Sequence, residues 1–167
     1  MPGYDIVKWI HIISAAVFFA TGVVTAVGMW LAHRSGNVQA IASRVRKVVR
    51  VDLTFTAPSG LVLPITGAIL VSMAGFPEHA PWLIASYILY TIAFTCWILA
   101  TRLRMQVRDI TALAARTGEA LPDRYYRYMR WWFQLSWPAL VAFLVVFYLM
   151  LAKPLAGSLA GNGIPAL

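Results

Sequence analysis

His11 is the residue from which chemistry can be read first. Starting there, His11, Ser14, Phe18, Thr21, Thr25 and Gly28 recur at alternating three- and four-residue steps inside a long apolar run. On an α-helix that spacing draws one continuous face, and it is the small, hydroxyl-bearing face. In a membrane such residues mark where helices approach closely and hydrogen-bond. His11 is therefore expected to point into a bundle. An inward ionisable group within a membrane is a candidate for function. The plainer possibility is an imidazole bonded to a hydroxyl or carbonyl of a neighbouring helix.

Depth along the other apolar runs suggests companions. Met73 and Met150 each fall about one turn inside the outer end of a run, with Ser86 at the matching level. One layer could then hold an imidazole and two thioethers, a set able to ligate haem iron or copper(I). Methionine is also a routine filler of apolar gaps. His33, at the inner end of the first run, reads as interfacial or solvated, and His79 as a loop residue. Cys96, the one cysteine, rules out an internal disulfide framework. Asp52 opens the second run, where an acid suits the helix dipole, and Arg130 opens the fourth. Each reads first as an anchor at a span end, with pairing of Asp52 and Arg130 at the inner mouth as the sharper alternative, and Lys8 and Lys153 are placed to snorkel at the outer boundary.

Composition names the solvent of the elements that position these groups. Apolar residues make up 60% of the 167 and charged residues 12%, against roughly 45–50% and 25% in soluble domains. So few charges could not cover a water-exposed surface. The fold class expected is an all-α, four-helix transmembrane bundle forming a single domain over residues 1–167, with spans at about 5–32, 53–76, 82–100 and 131–152. Pro58, Pro64 and Pro138 fall inside the second and fourth spans and are expected to kink them.

The cations set the expected orientation. Arg34, Arg44, Arg46, Lys47 and Arg50 lie in the connection 33–50. Arg102, Arg104, Arg108, Arg116, Arg124, Arg127 and Arg130 lie in the connection 102–130. Positive-inside logic puts both connections in the cytoplasm and both termini outside, in a bacterial inner membrane. Charges placed between apolar runs fit anionic lipid headgroups rather than nucleic acid. Both connections read as helical. Val38, Ile41, Val45 and Val48 share a stripe beside basic residues, so the first helix either continues or restarts as an amphipathic segment. Pro122-Asp123 suits a helix start, and Tyr125, Tyr126, Tyr128, Trp131 and Trp132 are expected as an interfacial aromatic belt. No phosphate-binding glycine loop, serine nucleophile elbow or zinc-spaced histidine pair is present.

The chain resembles an uncharacterised bacterial family of predicted integral membrane proteins over nearly its whole length. The matching stretches are Lys8-Trp9-Ile10-His11 with Gly22, Met29 through Gly36, Thr66-Gly67, Pro81-Trp82-Leu83, Arg104-Met105 with Arg108-Asp109, and Met150 with Lys153-Pro154. More distantly it is similar to the copper-resistance D proteins and the haem-dependent membrane protoporphyrinogen oxidases. The oxidase pattern maps onto Lys8, His11, His33, Lys153 and Pro154. That resemblance implies a b-type haem near His11. It departs at Trp82-Leu83-Ile84-Ala85-Ser86, where the oxidases carry a histidine and a lysine, and at Ser136-Trp137-Pro138 after Arg130. Protoporphyrinogen oxidation is therefore not implied.

Three functions follow as expectations. The first is a haem-b redox or electron-transfer protein using His11, with Met73, Met150, another protomer's His11 or no residue as partner ligand. The second is a non-catalytic subunit or assembly factor of a larger membrane complex, or a homo-oligomer. The third is copper handling through His11, Met73 and Met150.

Overall fold

The computed structural model describes residues 2–77 and 79–152, and these are helical almost throughout. The elements are α1 (Pro2–Ser35), α2 (Val38–Val51), α3 (Ala57–Ala74), α4 (Pro81–Thr117) and α5 (Asp123–Leu151). A single π-helical turn, Asp52–Thr56, joins α2 to α3, so Val38–Ala74 runs as one long helix. Four helices are long and apolar enough to cross a membrane, and no strand occurs among the described residues.

Local chemistry explains the breaks. Gly36 takes φ +64, and Asn37 caps α2 by accepting from the Ala40 amide at 3.0 Å. The first helix therefore ends, and α2 restarts as a separate amphipathic helix. Gly75 and Gly118, at φ +68 and +72, close α3 and α4 in the left-handed conformation that glycine adopts without Cβ strain. The π turn lies just before Pro58. The Ala57 amide reaches back to the Asp52 carbonyl, while Pro58 has no amide to give and its ring crowds the preceding turn. Widening that turn by one residue relieves both.

α4 has 37 residues, roughly 55 Å against a hydrocarbon core of ~30 Å. It must protrude, and Arg108 and Arg116 identify the protruding part as its C-terminal end. There α2, the end of α1, the end of α4 and the start of α5 enclose a core of Met29, Ile41, Val45, Val48, Val49, Val107, Ile110, Tyr125 and Met129. The stripe on α2 is thus buried against the chain's own helices rather than laid on lipid. In contact with water such burial is worth roughly 1.5–3 kcal/mol per large side chain. Across the spans themselves little is buried and the apolar side chains face outward, as lipid contact requires.

α1 packs along α3, and α5 along α4. α1 and α5 meet through the stacked rings of Phe18 and Phe143, 4.5 Å apart, and again at the basic end, where His33 lies beside Tyr125 and Tyr126. Between these two contacts lies the space described next.

Candidate functional site

The face of α1 drawn from His11 does lie against α3. His11 Nδ1 stands 2.8 Å from Thr66 Oγ1, and Thr66 donates its own hydroxyl to the Val62 carbonyl at 2.8 Å. The ring nitrogen and the hydroxyl share this hydrogen bond, with its direction set by the imidazole tautomer. Gly67 gives the ring room: a Cβ there would sit 3.4 Å from His11 Cε1. Met73 lies elsewhere. Its methyl is beside Gly3, 3.8 Å from where a Cβ on that glycine would be, and Gly3 is roughly 12 Å along α1 from His11. Met73 is 43% exposed, and Met150 packs near Ala80, Trp82 and Leu83. Lys8 is exposed, and Lys153 lies outside the described residues. Among the described residues no three His, Cys, Asp or Glu side chains converge as a metal cluster.

The stronger polar construction is at the other end. Asp52, 0% exposed, does not open a helix and does not pair with Arg130. It sits in the π turn and pairs with Arg104, its Oδ2 2.6 Å from Arg104 Nη1. Arg130 is exposed and lies two turns into α5. α4 continues past Ala100, so Arg104 shares the buried stripe of Ala100, Val107, Thr111 and Ala114 and is the cation that reaches Asp52. Arg104 Nη2 donates to Thr101 at 2.9 Å, and the Thr56 hydroxyl donates to Asp52 Oδ1 at 3.3 Å. Thr56 in turn stands 2.9 Å from the Thr21 hydroxyl on α1. A polar chain, Thr21–Thr56–Asp52–Arg104–Thr101, therefore crosses three elements in the interior. The π turn is what brings Asp52 and Thr56 into register with it.

Above this chain lies a cleft of 440 Å³ between α1 and α5, with α4 as its back wall. Phe19, Trp30, Trp97, Trp132, Phe133 and Trp137 line it, with Gly22 and Cys96, and Asp52 and Arg104 are also among its lining residues. The Phe18–Phe143 stack bounds it at one end, backed by Trp97, whose ring lies 6.3 Å from that of Phe18. A ligand space of this size is ordinary for a drug-sized molecule, for which ~300–1,000 Å³ is usual. Its apolar walls and its position between two spans suit something that arrives through lipid. Neither His11, Met73 nor Met150 lines it.

Two aromatic expectations also change. Tyr125 is 1% exposed, and its hydroxyl stands 3.0 Å from His33 Nδ1. His33 is thus bonded and half-buried rather than solvated. Trp132 is buried too, while Tyr126 and Trp131 keep the exposed positions a membrane belt requires. The sequence signal for the cleft was available in part: aromatics of α5 at Trp132, Phe133, Trp137 and Phe143 recur on adjoining faces, but the α1–α5 gap that gathers them does not follow from their spacing.

Neither the curated proteins nor the solved structures yield a match to this chain. A family model does match, over residues 5–154, which is nearly the whole length, and the chain belongs to that family, the predicted integral membrane proteins of DUF2269.

Proposed function

We propose that this multi-pass membrane protein binds a neutral, planar, lipid-soluble ring compound in the cleft between α1 and α5. The observation that carries the proposal is an aromatic-walled space that ends on a buried Asp52–Arg104 pair. Intramembrane ionisable groups are costly, and in membrane proteins they mark sites of function. Flat aromatic walls favour flat ligands, through offset stacking and edge contacts. With the basic end cytoplasmic, as the charge distribution argues, the ligand enters from the inner leaflet. Gly22 offers the test, because an added Cβ there meets nothing within 4 Å. Protein purified in its native lipid should carry a ring compound detectable by mass spectrometry of the organic extract. Gly22→Phe should fold normally and lose it. Equal recovery from both proteins would remove the cleft as the site.

His11 supports a second reading. With Nδ1 engaged by Thr66, the imidazole would hold haem iron or copper through Nε2, and a hydrogen bond on the other ring nitrogen is usual for a ligating histidine. A b-type haem there would supply one-electron chemistry, with its other axial ligand drawn from a second copy or absent, since Met73 lies about two turns away. Membranes enriched in the protein with haem supplied should then show a Soret band that His11→Ala abolishes. A spectrum without that band ends this reading. Copper(I) titration of the same two proteins tests the copper alternative.

A further inference from the structure

We infer that the ring compound of the cleft belongs to the quinone class, an inference that rests on the cleft being the binding site. The polar end of the cleft narrows the chemistry. Arg104 is matched by Asp52 at 2.6 Å, so a phosphate or carboxylate head meets no uncompensated positive charge there. The head is neutral.

The groups still lacking partners are mostly donors. Arg104 Nε and the indole Nε1 of Trp97 and Trp132 have no acceptor among the described residues, and all three side chains line the cleft. Arg104 is 5% exposed and Trp132 3%. Buried donors normally find acceptors, so a ligand bearing acceptor oxygens fits this end better than a plain hydrocarbon. Asp52 adds the opposite capacity. A carboxylate offers about four lone-pair sites, and the protein engages Oδ1 through Thr56 and Oδ2 through Arg104. These atoms are themselves covered, so with side-chain rotation at the cleft wall a ligand hydroxyl would donate to Asp52 and a ligand carbonyl would accept from Arg104 or an indole.

A ring whose oxygens exist as carbonyls in one state and hydroxyls in the other uses both capacities. Quinones and quinols are such rings. Their flat heads suit the Trp97, Trp132 and Phe143 walls, and the lateral gap between α1 and α5 leaves room for a prenyl tail to remain in the bilayer. An acyl chain would use the walls and leave the polar end without a partner.

The test uses the full chain in lipid nanodiscs and follows quenching of tryptophan fluorescence, since four tryptophans line the cleft. One probe is a naphthoquinone with a short prenyl tail; the other is the same prenyl naphthalene without oxygens. Wild type should show saturable quenching by the naphthoquinone and bind the hydrocarbon about tenfold more weakly, the scale of one or two hydrogen bonds. Gly22→Phe should lose saturable binding of both. The double variant Asp52→Asn with Arg104→Gln, which removes both charges together and so leaves neither buried unpaired, should bind the two probes alike. Equal affinity of wild type for both probes overturns the quinone assignment and leaves the cleft as a ring-binding site. Unsaturable quenching, or quenching indifferent to Gly22→Phe, overturns both.

Discussion

Pro64 lacks an amide, so the Gly60 carbonyl loses the donor it would have four residues on. The Tyr90 hydroxyl of α4 donates to that carbonyl instead. A defect in one helix thereby becomes a cross-link to another. Tyr90→Phe is expected to lower stability in detergent by about 1–3 kcal/mol, the usual cost of an orphaned buried acceptor. In a Pro64→Ala background the residue-64 amide can take the carbonyl, and the same Tyr90→Phe change should cost little. Equal losses in the two backgrounds, read by thermal unfolding, would show that the proline is not the reason for the bond. The Asp52–Arg104 pair obeys a related rule. Arg104→Gln alone strands a buried carboxylate and should cost about 3–5 kcal/mol, whereas adding Asp52→Asn should recover most of it. A double variant no more stable than the single one would contradict this. At this scale the sequence announces the missing amide of Pro64 directly. The identity of the rescuing tyrosine was not legible there, because it depends on which helix packs alongside.

Among the elements, the packing of α1 depends on glycine at one place and not at another. At Gly60 an added Cβ would lie 2.8 Å from Phe18 Cε2, whereas at Gly22 it would meet nothing. Gly60→Ala should therefore lower the midpoint of thermal unfolding. Gly22→Ala should raise it, since alanine in a helix interior is favoured by up to ~1 kcal/mol. Shifts of the same sign would mean that Phe18 repacks freely around residue 60. The face from His11 to Gly28 was readable in the sequence because small and hydroxyl residues at helical spacing describe a packing surface directly. The extents of α4 and α5 were harder. Hydropathy reports where lipid ends, not where a helix ends, so α4 runs on through Arg104 to Thr117 and carries the buried stripe with it. Arg104 was placed by sequence in a basic connection. Its helical register with Ala100, Val107 and Thr111 was the missing clue. Asp52 was displaced for a different reason: an i→i+5 turn changes register by one residue, and nothing but Pro58 announces it.

For the whole molecule, the two ends rest on different physics. The basic end packs α2 against α1 and the protruding part of α4, with its apolar stripe withdrawn from water. The spans meet lipid and hold together by small residues, hydroxyls and stacked rings. Charge placement divides the same way. Twelve of the 14 lysines and arginines fall in the connections at the basic end, and four spans place the two chain ends on one side. Moving clustered cations across a membrane is costly, so that end is expected to face the cytoplasm. A fusion after Leu167 should therefore make alkaline phosphatase active in a bacterial host and leave a green fluorescent protein dark. Fusions in the loop after Thr117 should give the reverse pattern. Moving Arg34, Arg44, Arg46, Lys47 and Arg50 to glutamine should weaken the bias and yield a mixed population, because the second connection still carries its arginines. If the Leu167 fusion fluoresced while the Thr117 fusion was active as phosphatase, the bundle would be inverted. The cleft would then open toward the outer leaflet, and a ring compound would have to reach it from that side.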